Sequence, residues 1–213
     1  MSILSLQNIS FSYGKKTVLK NLSLEFEKGK IYCIMGKSGA GKTTLLSILS
    51  ELAEPDSGTI LYDGNDIKKI NKYTFRSKYI GVVFQSYNLI TKFTSAENVI
   101  LSMDIAKVKG VKKKERAYEL LSNVGLDKDE ADRRVLKLSG GQQQRVAIAR
   151  ALSHNPDIIL ADEPTGNLDG DTEKEIMQIF RNLADDGKCV IIVSHSPSVA
   201  SMCDTTYQLV AQK

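Results

Sequence analysis

The sequence predicts an α/β protein whose core of buried, parallel-type strands is interrupted by a helical segment. Three observations support this prediction. Short apolar runs typical of buried strands occur in both the first and the last part of the chain, helix patterns alternate with them, and helix signals dominate the middle. The chain has 213 residues, of which 42% are hydrophobic and 25% charged. It is therefore long enough for one globular domain with a sizeable core.

The first 35 residues predict strands, because β-branched and alternating apolar residues dominate SILSLQNIS, VLKNLSLEFE and KIYCIM. A helix is predicted next, at GKTTLLSILS. It is followed by a turn leading into a hairpin at EPDSGTILYDG and by a short buried strand at YIGVVFQ. This order predicts a β-rich first part with one helix.

From about Ser86 to about Asn155 helix signals dominate. One predicted helix carries an apolar stripe at positions i, i+3, i+4 and i+7, formed by Ala117, Leu120, Leu121 and Val124. Strands and helices then alternate again. PDIILADE and KCVIIVSH predict buried strands, and between them a helix carries Ile176, Ile179, Phe180 and Leu183.

Composition disfavours several classes of function. The net charge is +4 and the basic residues are scattered, which indicates a solvated surface rather than a nucleic-acid interface. Cys33, Cys189 and Cys203 form no CxxC pair and only two histidines are present, so we expect no zinc site and a reducing compartment. The first residues do not predict a signal peptide, and no apolar run approaches the length of a membrane span.

The segment GKSGAGKT, residues 36–43, fits the phosphate-binding pattern G-x-x-x-x-G-K-[ST] between a predicted strand and a predicted helix. Its glycines let the backbone wrap phosphates, Lys42 reaches the β and γ oxygens, and the Thr43 hydroxyl holds Mg²⁺. This context disfavours the alternative of an ordinary glycine-rich turn. The predicted nucleotide-binding residues here are Gly36, Lys37, Ser38, Gly39, Ala40, Gly41, Lys42, Thr43 and Thr44.

Two further motifs point to phosphate chemistry. In KLSGGQQQRVAIAR, Ser139 and two glycines stand directly before a predicted helix, which is a favourable anion site. In DIILADEP, a buried strand ends in two carboxylates. Asp162 is placed to hold Mg²⁺, usually through water, and Glu163 to polarise an attacking water as a general base. The alternative role for Glu163 is to cap the strand before Pro164.

The phosphate loop, LSGGQ and ILADEPTGNLD, in this order, resemble the nucleotide-binding subunit of ABC (ATP-binding cassette) transporters over nearly the whole chain. The resemblance implies a P-loop NTPase fold with a mixed-sheet RecA-like core, an antiparallel β subdomain and an inserted helical subdomain. It implies one ATPase domain over residues 1–213, with the core at 1–85 and 156–213 and the helical subdomain at about 86–155. It also implies a head-to-tail dimer of two copies, in which Ser139, Gly140, Gly141 and Gln142 contact the ATP of the partner.

The resemblance implies roles for several other residues. Tyr13 corresponds to the aromatic residue that stacks on adenine, although an ordinary strand-end aromatic is the alternative. Gln85 corresponds to a glutamine that binds Mg²⁺ and water, and His195 to the histidine at the γ-phosphate, here preceded by Ser194 where many relatives have threonine. Residues 167–169, Asn-Leu-Asp, correspond to the loop that crosses the dimer interface. The implied catalytic residues are Glu163, His195 and Gln85, the implied metal ligands are Thr43, Gln85 and Asp162, and the implied cofactors are ATP and Mg²⁺.

The resulting prediction is the ATP-hydrolysing subunit of a membrane transporter, of the type that exports peptides or bacteriocins, drugs or lipoproteins. We expect it at the cytoplasmic face of the membrane, bound to a permease that docks near Gln85, Tyr87, Leu89 and Phe93. Plain packing inside the helical subdomain is the alternative for these apolar side chains. A non-transport ABC ATPase of DNA repair or of the ribosome is the alternative function. The sequence lacks the coiled coil, zinc module or second phosphate loop of such proteins, and the guanine-reading NKxD motif of a GTPase.

Overall fold

The computed structural model describes residues 2–211, within which nine strands and eight α-helices occur. The strands are β1 (Ser2–Tyr13), β2 (Lys16–Glu27), β3 (Ile31–Met35), β4 (Ser57–Tyr62), β5 (Asn65–Asp66), β6 (Ile80–Val83), β7 (Ile158–Asp162), β8 (Cys189–Val193) and β9 (Thr205–Gln208). The helices are α1 (Lys42–Leu49), α2 (Lys72–Tyr79), α3 (Ser95–Ile105), α4 (Lys113–Asn123), α5 (Lys128–Asp132), α6 (Gly140–Ala151), α7 (Gly170–Asp185) and α8 (Pro197–Ser201).

The strands form two separate sheets. Four antiparallel strands pair in the order β2-β1-β4-β5, and five strands pair in the order β6-β7-β8-β3-β9. The α/β class and the antiparallel subdomain predicted from the sequence are confirmed. One detail is corrected: the core sheet is parallel at each described pairing rather than mixed. The antiparallel strands belong to the other sheet, because short turns connect β1 to β2 and β4 to β5.

The parallel sheet is buried on both faces, which explains its almost continuous apolar sequence. β8 is fully buried, and in β3 and β7 only the last residue is partly exposed. Alternate residues of these strands contribute to two hydrophobic clusters, one with α7 and the helical segment and the other with α1 and the antiparallel sheet. Because β3, β7 and β8 are parallel neighbours, their carboxyl ends meet at one edge. That edge carries the phosphate loop, Asp162 and the residues that follow Val193.

Helices α3 to α6 form a helical lobe whose apolar faces point inward. The stripe predicted in α4 is buried, including Val124 directly after the helix. Three of these helices begin with capping boxes. In each, the side chain of the N-cap residue accepts a hydrogen bond from the amide of the third helical residue, whose own side chain accepts one from the N-cap amide. The pairs are Thr94 with Glu97, Asp127 with Glu130, and Ser139 with Gln142. These caps fix the points at which α3, α5 and α6 begin.

Helix α2 forms where the sequence predicts no element. Asn71 caps it by accepting hydrogen bonds from the amides of Tyr73 and Thr74, and Phe75 is its one buried residue. A single buried residue gives too little periodicity to predict a helix of this length. Between residues 2 and 211, no helix combines the length and hydropathy needed to cross a bilayer.

Candidate functional site

A cleft of about 380 Å³ lies at the carboxyl edge of the parallel sheet. It brings together predicted residues that are far apart in sequence, from the phosphate loop, the carboxylate pair and the end of β6. Its lining consists of Tyr13, Lys16, Val18, Ser38, Gly39, Gly41, Lys42, Thr43, Thr44, Gln85, Asp162 and Glu163. Two lining residues, Lys16 and Val18, belong to no motif predicted from the sequence. They line the cleft because β2 passes over the phosphate loop.

The phosphate loop is shaped by close packing around its glycines. Gly41 has a φ of 92°, and a Cβ on this residue would lie 2.7 Å from Cγ1 of Val18. A Cβ on Gly36 would lie 2.9 Å from the carbonyl oxygen of Leu209. Gly41 is the N-cap of α1, so in the described structure no side chain caps this helix start. The first amides of α1 are therefore open to an anion at the positive end of the helix dipole.

The Lys42 ammonium group lies inside this loop. It donates a hydrogen bond of 2.7 Å to the carbonyl oxygen of Gly36 and one of 3.4 Å to that of Lys37. The same cation lowers the pKa of Asp162 but is outweighed, because burial and the charge of Glu163 both raise the pKa of Asp162. A carboxylate in these surroundings is stabilised by a bound cation.

Glu163 has the most constrained geometry at the site. Its backbone φ is 44°, in the left-handed region that non-glycine residues rarely adopt. Its amide donates to the carbonyl oxygen of Val193 at 2.9 Å. Oε1 lies 2.8 Å from Nδ1 of His195, and Oε2 accepts a hydrogen bond of 3.1 Å from the Ser194 hydroxyl. The Glu163 side chain is only 14% exposed whereas that of His195 is 71% exposed. Two of the three predicted catalytic residues, Glu163 and His195, are thus in direct contact.

Ser194 is a site residue that the sequence analysis treated only as a substitution for threonine. It is 1% exposed, and its hydroxyl also accepts a hydrogen bond of 3.1 Å from the Ser196 amide. Strand register explains the contact with Glu163, because Asp162 pairs with Val193 across β7 and β8. The residues that directly follow this pair, Glu163 and Ser194, are therefore also neighbours. Two parallel strands ending in polar residues would have been the signal for this contact.

Replacing Ser194 with alanine is expected to lower kcat for ATP hydrolysis by about 3- to 10-fold, the size expected for losing one hydrogen bond that orients Glu163. Steady-state phosphate release with saturating MgATP measures the effect. Ser194→Thr keeps a hydroxyl group and is expected to retain most of the activity. An unchanged kcat in Ser194→Ala would show that the hydroxyl does not orient the carboxylate.

Tyr13 and Gln85 both line the cleft. Tyr13 is 60% exposed and contacts Phe11 edge to face at a ring distance of 4.9 Å, which leaves a ring face available for stacking. Gln85 is exposed, and its side-chain amide is adjacent to Gly166, where a Cβ would lie 3.2 Å from Nε2. Asn167 Nδ2 donates to the Gln85 carbonyl oxygen at 3.5 Å. Gln85 is thus held next to the loop that follows the carboxylate pair.

The second predicted anion site lies elsewhere on the molecule. Ser139 is the N-cap of α6, and its hydroxyl accepts the Gln142 amide at 3.2 Å. The first two residues of α6, Gly140 and Gly141, have no side chain beside their backbone amides. None of residues 139–142 lines the cleft. A Cβ on Gly141 would lie 2.6 Å from Cγ2 of Thr172, so the start of α6 packs against α7. The two anion sites predicted from the sequence therefore do not meet within one chain.

The loop before α7 is tightly ordered by Asp169. Its Oδ1 accepts hydrogen bonds from the amides of Asp171 and Thr172, at 3.1 and 2.9 Å, and its Oδ2 accepts the Thr172 hydroxyl at 2.8 Å. The Thr172 amide and hydroxyl are the main causes that lower the pKa of Asp169. Leu168 is half-buried beside Gly140, whose Cβ would lie 3.7 Å from Cδ2 of Leu168. Residues 167–169 thus adjoin the predicted anion site at the start of α6, and through Asn167 they also contact Gln85 of the cleft.

Known proteins resemble this chain in sequence and in structure. The family model for ABC transporters matches residues 19–166. The uncharacterized ABC transporter ATP-binding protein YclH of Bacillus subtilis is 44% identical, over 98% of this chain and 94% of that protein. The lipoprotein-releasing system ATP-binding protein LolD of Bacteroides thetaiotaomicron is 43% identical, over 98% and 97%. The macrolide export ATP-binding/permease protein MacB of Salmonella choleraesuis is 41% identical, over 98% of this chain and 33% of that protein.

Two solved structures of MJ0796, described as a bacterial ABC transporter cassette, are similar along almost the whole chain. The dimeric structure has a TM-score of 0.87 and 40% identity, covering 97% of this chain and 94% of that one. A dimeric post-hydrolysis state bound to ADP and Pi has a TM-score of 0.87 and 39% identity, with the same coverage.

Proposed function

Because the chain belongs to the ATP-binding proteins of ABC transporters, we propose that two copies close head to tail around two ATP molecules and drive an export complex in the membrane. The chain is an ATPase of this family, and cassettes of its kind form dimers. One observation supports the proposal: residues 139–142, which we predict to be an anion site at the start of α6, lie outside the chain's own cleft. In a head-to-tail dimer, that site faces the ATP held by the partner's cleft.

In this proposal the phosphates lie against the open amides of α1, with Lys42 donating to the β and γ oxygens. Tyr13 stacks on the adenine ring. The donor set also fits Mg²⁺, because Thr43, Gln85 and Asp162 line the same cleft and supply hydroxyl, amide and carboxylate oxygens. Burial and the charge of Glu163 raise the pKa of the half-buried Asp162, and a cation beside it would offset both effects. Bound Mg²⁺ would neutralise phosphate charge.

The proposed chemical step depends on Glu163. Its carboxylate accepts a proton from the water that attacks the γ-phosphorus, and the bond from that phosphorus to the oxygen bridging it to the β-phosphate breaks, so that ADP and inorganic phosphate are the products. Ser194 and His195 hold the carboxylate in place. Gln85, which lines the same cleft, orients the same water. Phosphate release removes the charge that Lys42 and Ser139 share across the interface, and the dimer reopens. The closed and open states are the two populations that ATP binding and hydrolysis shift.

The type of transport follows from the relatives rather than from the cleft. LolD and MacB carry the names of lipoprotein-releasing and macrolide-export systems, so we infer an exporter of lipoproteins, drugs or peptides, including bacteriocins. The permease would hold the chain at the inner face of the cell membrane. We assign residues 1–213 to one ATPase domain, with its core at 1–85 and 156–213 and its helical subdomain at about 86–155.

The permease surface we propose runs from the residues after Gln85 along α3. Ile90 is 41% exposed there, Leu89 and Phe93 are half-buried, and Asn98 of α3 binds the Ile90 amide at 2.8 Å. Further along α3, a groove of about 530 Å³ separates α2 from α3. It is lined by Tyr73, Thr74, Arg76, Ser77, Ser102, Ile105, Ala106, Lys107 and His154.

The chemistry of this groove suits an amphipathic segment with acidic residues. Tyr73 and Ile105 are 65% and 70% exposed and line the same groove, so together they offer apolar surface to a partner. Arg76 and Lys107 supply positive charge, and the described lining contains no carboxylate. We therefore propose that a cytoplasmic helix of the permease, with apolar and acidic faces, occupies the groove.

We expect Glu163→Gln, bound to MgATP, to co-purify with a polytopic membrane protein from detergent-solubilised native membranes. The substitution is chosen because it should keep the dimer closed. In the same background, Tyr73→Ser and Ile105→Ser should each reduce the recovered permease at least severalfold, because they remove exposed apolar contacts. Leu52→Ser is the matched control. Leu52 is a similarly exposed apolar residue, at 62%, but it lies outside the groove, in the segment after α1.

Recovery of ribosomes or DNA-repair proteins without a membrane partner would favour the alternative, a non-transport ABC ATPase. Equal permease recovery with Tyr73→Ser, Ile105→Ser and Leu52→Ser would contradict the docking groove while leaving the transporter assignment intact. ATP hydrolysis measured for the same substitutions with Glu163 present shows whether the ATPase itself is intact.

A further inference from the structure

We propose that Tyr87 is a positioning residue that links the chain's own ATP cleft to the anion site that the same chain presents to its partner. The inference rests on the proposed head-to-tail dimer and deepens it, because it assigns a path by which the two ATP sites influence each other. Tyr87 lies two residues after Gln85, which lines the cleft, and its side chain reaches Gly140 of the second anion site.

The contact between Tyr87 and Gly140 is close. A Cβ on Gly140 would lie 3.0 Å from the Tyr87 hydroxyl, so the phenol occupies the space that any side chain at position 140 would need. Tyr87 is half-buried, and this burial raises the pKa of its hydroxyl. The sequence predicts that Tyr87 lies near the permease. Its hydroxyl lies beside Gly140, at the start of α6.

The backbone of this segment adopts an uncommon conformation. Tyr87 and Asn88 have φ angles of 59° and 50°, so two consecutive non-glycine residues lie in the left-handed region. Arg150, in the last turn of α6, holds both carbonyl groups. Its Nη2 donates to the carbonyl oxygen of Tyr87 at 2.8 Å and its Nη1 to that of Asn88. The strained segment is thus tied to α6 by this fork as well as by the Tyr87 ring.

The beginning and end of the segment are also fixed. The Gln85 carbonyl accepts Asn167 Nδ2 at 3.5 Å. At the other end, Asn98 accepts the Ile90 amide at 2.8 Å and donates to the Ile90 carbonyl at 3.2 Å. Between these anchors, the Tyr87 ring is the side chain that reaches Gly140. A displacement of Gln85 toward or away from the γ-phosphate is therefore transmitted to the start of α6 rather than lost in a flexible loop.

Each copy in the dimer would make the same connection. ATP bound in one cleft determines the position of Gln85, and Gln85 determines that of Tyr87. Tyr87 in turn positions residues 139–142, which contact ATP in the other cleft. Coupling of this kind is a free energy shared by two sites through contiguous contacts. It predicts a variant that binds ATP normally in its own cleft but presents a poorly placed anion site to its partner.

The test uses the Glu163→Gln protein and measures two equilibria separately. ATP affinity of the monomer is measured with a fluorescent ATP analogue at protein concentrations below the dimer dissociation constant. ATP-dependent dimerisation is measured by sedimentation velocity. We expect Tyr87→Ala to weaken dimerisation at least about tenfold while changing monomer affinity less than about twofold, and Tyr87→Phe to lie between Tyr87→Ala and the parent.

Tyr118→Ala is the matched control, because it removes another half-exposed tyrosine of the helical lobe, one that bonds to Asp132. It should dimerise like the parent. Tyr87→Leu keeps an apolar side chain in place and should reproduce the weakened dimerisation, so the test does not depend on how well Tyr87→Ala folds.

Dimerisation of both Tyr87→Ala and Tyr87→Leu within about twofold of the parent would overturn the inference. An equal loss of monomer affinity and dimerisation would also overturn it, because Tyr87 would then support only its own cleft. If the Glu163→Gln parent itself stayed monomeric with ATP, the head-to-tail dimer would be wrong, and this inference with it. That failure is visible in the parent alone.

Discussion

Replacing Glu163 with glutamine is expected to lower ATP turnover by at least about 100-fold, the smaller end of what a positioned general base contributes. The amide keeps the shape of the side chain and can still contact Ser194 and His195. It cannot accept the proton of the attacking water, so the chemical step fails while binding persists. The ATP-bound dimer should then accumulate, because hydrolysis is the event that reopens it.

Phosphate release under saturating MgATP measures the turnover of Glu163→Gln, and sedimentation velocity detects the accumulated dimer. Glu115→Gln is the matched control. Glu115 lies on α4, is 71% exposed, pairs with Lys112 and does not line the cleft. It should hydrolyse ATP at the parental rate. Normal turnover in Glu163→Gln would show that another group serves as the base.

Replacing Lys42 with alanine is expected to weaken ATP binding by about 100-fold or more, because a charge-assisted hydrogen bond is worth roughly 1.5 to 3 kcal/mol and Lys42 would make more than one of them. The ammonium group already lies inside the loop, 2.7 Å from the Gly36 carbonyl oxygen. No other described cation of the loop is placed in this way, since Lys37 contributes only its backbone to these contacts.

Isothermal titration with MgATP measures the loss in Lys42→Ala. Lys20→Ala is the matched control, because it removes an exposed lysine of β2 that does not line the cleft. An affinity of Lys42→Ala within about twofold of the parent would contradict the proposed phosphate site.

Much of the fold is predictable from local patterns. Buried strands at KIYCIM, PDIILADE and KCVIIVSH are long apolar runs, and the structure forms β3, β7 and β8 within them. The pairing order was not predictable, because nothing local in β9 indicates that it joins β3 at the sheet edge. Helix α2 was missed because one buried residue, Phe75, sets no period. The capping boxes at Thr94 and Asp127 were visible as TSAE and DKDE and could have predicted the starts of α3 and α5.

The candidate site divides in the same way. Residues joined by local sequence, such as those of the phosphate loop, could be named from the motif, since their geometry is built within a few residues. The contacts of Ser194 and Tyr87 could not be predicted from the sequence. Ser194 meets Glu163 through the register of two strands, and Tyr87 meets Gly140 because its backbone enters the left-handed region. Such contacts depend on tertiary structure, which a single motif does not encode.

Helix α6 carries Ser139, the serine proposed to contact the partner's phosphate, before its first turn and Arg150 in its last. Its 12 residues span about 18 Å at 1.5 Å per residue, and hydrogen-bonded helices of this length behave as stiff rods. Tilting such a rod by ~10° about its carboxyl end moves Ser139 by about 3 Å, roughly the length of one hydrogen bond. In the proposed dimer, a modest rotation of α6 is therefore enough to make or break the contact of Ser139 with the partner's nucleotide, so closure of the two copies depends on the angle of this helix.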